Sequence, residues 1–140
     1  MVAVIGAALT PFGRRTDGSS FRDWAAAAFW QALAMAELQA ADIDALVLAS
    51  ESDFFTLQLN PAAVIADDLG LSGAALLRVE GGGASGQLAV HAAMAQILGG
   101  PAKRVAVIGV DASASALPGA VTRDLYGFSF DAWTDRKSVV

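Results

Sequence analysis

The chain has 140 residues, of which 55% are hydrophobic and 16% charged, with a formal net charge of −5 and no cysteine. That length and apolar content suffice for one core or for part of a larger one. The acidic balance, without a basic cluster, argues against nucleic acid or an anionic membrane surface as main partner, and the lack of cysteine removes disulfides, thiolate metal sites and thiol nucleophiles.

Val2 to Ala7 is a continuous apolar, partly β-branched run, which predicts a first strand covered on both faces rather than a secretory leader. After Thr10-Pro11-Phe12-Gly13 and a polar loop, Ser20 with Asp23 three residues on predicts a capped helix to about Leu38, with Phe21, Trp24, Ala28 and Leu38 at helical spacing. Ala45 to Ala49 reads as a second buried strand, and Glu51 to Leu59 as an irregular loop exposing Phe54 and Phe55. Asn60 as cap, Pro61 at the first helical position and Gly70 past the last turn predict a short helix from Pro61 to Leu69.

Ala74 to Val79 is the third expected strand, and it breaks on Gly81-Gly82-Gly83. The following helix, Ala84 to Leu98, carries no acidic or basic side chain and is apolar on every face, so burial on all sides is expected. Gly99-Gly100-Pro101 stops it, Arg104 to Val110 is a fourth strand, and the chain beyond Asp111-Ala112-Ser113-Ala114-Ser115 reads as loop. Strands alternating with helices predict an α/β fold, a βαβαβαβ unit with a mostly parallel sheet and a buried central helix. The domain is placed at residues 1–134, and Asp135 to Val140 reads as a non-native read-through tail.

The glycine turn is the candidate site. Backbone N–H groups and the positive end of a helix dipole converge there, a setting for an anion, a polarised carbonyl or an activated nucleophile. A turn that merely lets a strand and a helix pack closely is the equal alternative. Gly81-x-Gly83-x-x-Gly86 matches the letters of a dinucleotide fingerprint, but Glu80, the apolar helix and the lack of a downstream acidic residue do not suit a pyrophosphate. The charge-free stretch from Gly81 to Ala102 has the length of a membrane span, yet its three glycines, Ser85, Gln87, His91 and Gln96 make it a poor one, and a soluble cytoplasmic protein without membrane or nucleic-acid partners is expected.

Val4-Ile5-Gly6 with Thr10-Pro11-Phe12-Gly13, then Ala41-Asp42-Ile43-Asp44-Ala45-Leu46, Val79-Glu80-Gly81-Gly82-Gly83-Ala84-Ser85-Gly86 and Val105-Ala106-Val107-Ile108-Gly109-Val110 together resemble the amino-terminal half of thiolases, especially the sterol-carrier-protein type and thiolase-like lipid-transfer proteins. The resemblance implies the first half of a two-half thiolase fold and coenzyme A thioesters as substrates, with no bound cofactor. It further implies a homodimer meeting along the strand Ala74 to Val79, and substrate contacts at Gly82, Gly83, Ala84 and Ser85. In thiolases a nucleophilic cysteine opens the buried helix; the matching position here is Gly83, so no catalytic residue is assigned and ping-pong acyl transfer at this position is excluded. Ser85 is a weak substitute without a visible base, His91 reads as a buried or interface histidine, Glu80 as a residue shaping the turn, and Asp111, Ser113 and Ser115 as either site-lining or ordinary loop. The expected activity is that of an acyl-CoA enzyme of acyltransferase type lacking its nucleophile. The alternatives are a thiolase-like retro-aldolase on a β-hydroxyacyl-CoA with a small OB-fold partner, and a non-catalytic acyl-CoA scaffold. Alone, the chain is expected to leave the helix Ala84 to Leu98 uncovered on one side, to be inactive and to be poorly soluble.

Overall fold

The computed structural model describes residues 1–127; the tail from Asp135 and the proposed boundary at Thr134 lie outside the described residues. Helix α1 (Phe21–Ala36) starts where the sequence predicts, the Asp23 carboxylate accepting from both the N–H (2.7 Å) and the hydroxyl (2.8 Å) of Ser20. Its last residue is Ala36, two short of Leu38, and it is capped by Glu37 in the left-handed conformation. Strand β1 (Ala45–Ala49) follows, then one short turn of helix, α2 (Asp53–Thr56), and α3 (Pro61–Asp68), with Asn60 as cap and Pro61 in its first turn.

β2 (Ala75–Val79), α4 (Ser85–Gly99) and β3 (Val105–Gly109) complete the sheet unit, and α5 (Ser113–Ala116) and α6 (Gly119–Gly127) close the described chain. The sheet order is β2-β1-β3 with both pairings parallel: Ala45 stands opposite Ala75 and Val105, and Ala49 opposite Val79 and Gly109. A parallel sheet with crossover helices on both faces buries its middle strand completely, and every residue of β1 is buried.

Alternation along β1 divides the core in two. Leu46 and Leu48 face α1 and α3, where they meet Phe29, Leu33, Ile65 and Leu69, while Val47 and Ala49 face α4 and meet Ala89 and Ala93. Alanine at both α4 contacts lets that helix lie close to the sheet.

Four expectations change. Val2 to Ala7 forms no ladder: it runs beside α1, so near that a side chain at Gly6 would collide with the Ala32 carbonyl, and Val4 and Ile5 are 84% and 58% exposed rather than covered. An apolar cleft of about 620 Å³ separates it from β3, lined by Val4, Ile5, Phe29, Met94, Val105 and Val107 among others. A strand needs a partner edge, and β3 offers one that the segment does not reach. Second, the stretch after β1 is ordered around α2, with Ser52 capping Phe54; Phe54 is exposed, but Phe55 is buried. Third, Ser113–Ala116 and Gly119–Gly127 are helical rather than loop-like. Fourth, α4 is covered on one face only: Ser85, Ala89 and Ala93 are buried, while Leu88, Val90, Met94 and Leu98 are exposed and His91 lies among the exposed residues. The apolar far face of α4 agrees with the expectation of a helix uncovered on one side.

The amino ends of the strands are joined through Asp44. Its carboxylate accepts from the N–H groups of Lys103 (2.8 Å) and Arg104 (2.9 Å), and its carbonyl accepts from the Ala75 N–H at 2.9 Å. The Arg104 and Lys103 backbone bonds hold the Asp44 carboxyl below the ordinary carboxylate range. A lowered native pKa gives stability that is fully present above the unfolded-state value and is lost as pH falls through the native one. Asp44→Asn is therefore expected to lower the urea midpoint at neutral pH, and the gap to the parent to close on acidification; a gap that persists unchanged in acid would assign the effect to something other than the carboxylate.

Candidate functional site

In sheets of this kind the carboxyl ends of the strands collect the chemistry. At that edge β2 runs into the glycine turn, β1 into Ser50 and Glu51, and β3 into Val110 and Asp111.

The turn is a single 3-10 turn, Gly82–Ala84, feeding α4. Gly82 has φ 57°, a left-handed conformation that glycine adopts without a Cβ clash. Gly83 has no such requirement, and a Cβ built on it meets nothing within 4 Å. The position the resemblance assigns to a nucleophile therefore has room for a side chain and carries none. Ala84 donates its N–H to the Gly81 carbonyl at 3.1 Å. Ser85 is buried, its hydroxyl accepting from the Gly81 N–H (2.9 Å) and donating to the Gly82 carbonyl (2.7 Å). Both capacities are spent on holding the turn, which gives Ser85 a structural role and leaves its proton committed to a backbone oxygen.

Glu80 stands at the entry to the turn, and its side chain bonds back to the strand rather than to the turn. It pairs with Arg78 (2.7 Å), whose other terminal nitrogen pairs with Asp53 of α2. Among the described residues Arg78 Nε is buried without a partner, and the guanidinium ties α2 to the end of β2 through its bond to Asp53.

On the other side of β1, Asp111 accepts from the Ser50 hydroxyl (3.0 Å) and from the Glu51 N–H (3.1 Å). Although Asp111 is exposed as a whole residue, burial of its carboxyl is the largest effect and pushes its pKa above the ordinary range, against the lowering effect of the Glu51 and Ser50 bonds. The Glu51 carboxylate accepts from the Tyr126 hydroxyl at 3.0 Å, and the Tyr126 ring lies 5.2 Å from that of Phe55. Burial first, and then the bond to Glu51, raises the phenol above its ordinary value.

Ser113 and Ser115 are taken up by neighbouring segments: the Ser113 carbonyl accepts from the Thr122 hydroxyl (3.0 Å), and Ser115 Oγ accepts from the Arg15 N–H (3.0 Å). The structure thus brings Gly82, Gly83, Ala84 and Ser85 together in one turn and Asp111 to the same sheet edge, and leaves His91 apart on α4. Ser50, Glu51, Arg78 and Tyr126 escaped the sequence reading. Glu51 and Asp111 each stand two residues past a strand of one parallel sheet, a signal that was present; nothing local announces Tyr126.

Among the described residues no helix is long and apolar enough to cross a membrane, and no group of three or more His, Asp or Glu is placed to hold a metal ion.

Residues 2–130 match the family model for the thiolase N-terminal domain. Among solved structures the chain is similar to 3-oxoacyl-[acyl-carrier-protein] synthase III from Aquifex aeolicus VF5, with 25% identity and a TM-score of 0.62 over 71% of this chain and 32% of that one. It is also similar in fold to the Ltp2-ChsH2(DUF35) aldolase (24% identity, TM-score 0.63, 96% of this chain and 34% of that one). The tetronic acid condensing enzyme AbyA1 aligns at 24% identity and a TM-score of 0.62, over 78% of this chain and 42% of that one. The chain therefore spans between about a third and two-fifths of the proteins it matches.

Proposed function

The chain belongs to the thiolase family through its amino-terminal domain, and from that premise we propose that it supplies the glycine-turn half of an enzyme that cleaves or forms a carbon–carbon bond in an acyl-CoA thioester without a covalent acyl-enzyme. The observation that carries this reading is Gly83. The turn, its left-handed Gly82 and its Ser85 brace are intact, there is space for a side chain, and no nucleophile stands there. Acyl transfer by an enzyme-bound thioester needs that nucleophile. Retro-aldol cleavage of a β-hydroxyacyl-CoA needs a base for the hydroxyl and an oxyanion site for the enolate instead. The fold likeness to an aldolase over nearly the whole chain supports this direction.

In this reading Gly82, Gly83, Ala84 and Ser85 border the thioester, no cofactor is bound, and the donors of the oxyanion site come from outside residues 1–127. The second component named with that aldolase supports a partner protein for this chain as well, for which the family resemblance implies a small OB-fold. The outer edge of β2, without a ladder partner among the described residues, supports a homodimer along that strand.

The test is incubation of the full-length protein, with and without its partner, with a β-hydroxyacyl-CoA and isotopically labelled free coenzyme A. The expected products are a carbonyl compound and a shortened acyl-CoA, with no label entering the thioester. Label exchange without cleavage would sink the proposal in favour of acyl transfer, and binding without either reaction would identify a scaffold.

A further inference from the structure

The parallel register continues past the strand ends, with the Ser50 N–H donating to the Val79 carbonyl (3.4 Å) and the Val110 N–H to the Ala49 carbonyl (3.0 Å). Counted on from Ala49, which stands opposite Val79 and Gly109, Glu51 falls in the same row as Gly81 on one side and Asp111 on the other. Glu51 is therefore the central residue of the row that begins at the glycine turn. Asp111 fixes its backbone, and Tyr126 reaches it from α6 with the ring steadied on Phe55. Tyr126 is 40% exposed as a residue, so a ligand can approach it at this edge.

We propose that Tyr126 and Glu51 are a proton-transfer pair serving the carbon–carbon cleavage inferred above, on which this assignment rests. The phenol oxygen takes the proton of the substrate β-hydroxyl while its own proton passes to the Glu51 carboxylate. The Cα–Cβ bond breaks, its electrons becoming the enolate of the thioester as the hydroxyl carbon becomes a carbonyl. Return of the proton from Glu51 through the phenol to Cα gives the shortened acyl-CoA and restores the pair, so the sequence consumes no oxidant, reductant or further reactant. A phenol held neutral by burial and by a carboxylate suits a relay that carries a proton in both directions. The other charged groups at this edge are already committed: Arg78 to Asp53 and Glu80, Asp111 to Ser50 and Glu51, and Arg123 to its neighbour Asp124.

The experiment uses the full-length protein and β-hydroxyacyl-CoA, comparing the parent with Tyr126→Phe, which keeps the ring against Phe55, and Glu51→Gln, which keeps size and shape. Each substitution is expected to lower kcat about 100-fold or more with KM little changed. Glu51→Asp, which keeps the carboxylate, should recover part of the rate that Glu51→Gln loses. A parent that cleaves while Tyr126→Phe and Glu51→Gln both keep its rate overturns the pair alone. A parent that binds the thioester and does not cleave it overturns the cleavage reading and the pair with it.

Discussion

Gly83→Cys is expected to fold as the parent does, to acquire a single fast-alkylating thiol, and, in the full-length protein, to lose carbon–carbon cleavage by about tenfold or more without gaining thiolysis. The space for the side chain exists, since a Cβ there touches nothing within 4 Å and the backbone is outside the left-handed region. No other cysteine competes for the reagent. A thiol at the mouth of a turn that feeds a helix is favoured as thiolate by the converging N–H groups and the dipole, so its alkylation should run faster near neutrality than that of a free thiol. Loss of cleavage is expected because the new group occupies room that the substrate uses when nothing is attached there, and misplacement by about 1 Å costs on the order of 100-fold. Alkylation kinetics against pH, together with product analysis, check both parts. Thiolysis gained at a useful rate would mean that the rest of an acyl-transfer site is intact, and the nucleophile-free reading would fall.

Leu48→Ala is expected to destabilise the described unit by about 2–5 kcal/mol. That is a large part of the 5–15 kcal/mol typical of a domain. Leu48 is fully buried in the middle strand and faces the cluster that joins α1, α3 and the sheet. Neighbours on three elements cannot all move inward, so most of the removed volume remains as a cavity. Leu77→Ala on β2 is the control, because Leu77 is 39% exposed and its loss leaves no enclosed void. Denaturant midpoints for the two variants should differ widely, and equal shifts would show that the core is not centred on β1.

How far the sequence disclosed this arrangement depends on whether the deciding contacts were local. Ser20 with Asp23, Asn60 with Pro61, and Gly99-Gly100-Pro101 act within one turn, and the helix starts and stops read from the sequence agree with the structure to within about two residues. The three runs at Ala45, Ala74 and Arg104 each became a strand, as a doubly covered parallel sheet demands. Val2 to Ala7 has the same composition, but strand formation requires a partner, and composition does not supply one. The all-round apolar surface of α4 was legible, whereas the single face that receives cover depends on which elements pack on it. Phe55 is buried beside a Phe54 that is not, a choice set by α5 and α6 closing over α2. The glycine turn could be read letter by letter. The pairing of Glu51 with Tyr126, 75 residues apart, depends on tertiary closure and had no local trace.

The position of β1 between two parallel neighbours also has a consequence for exchange with heavy water. Its amides point alternately toward β2 and β3 and are bonded on either side, so β1 should hold its protons longest. Each outer strand bonds inward at every second residue only, so β2 and β3 should take up deuterium in a stripe of alternating fast and slow positions. A partner arriving at one edge would erase the stripe on that strand and leave the other untouched, which makes the labelling pattern itself a report of which side of the sheet has found company.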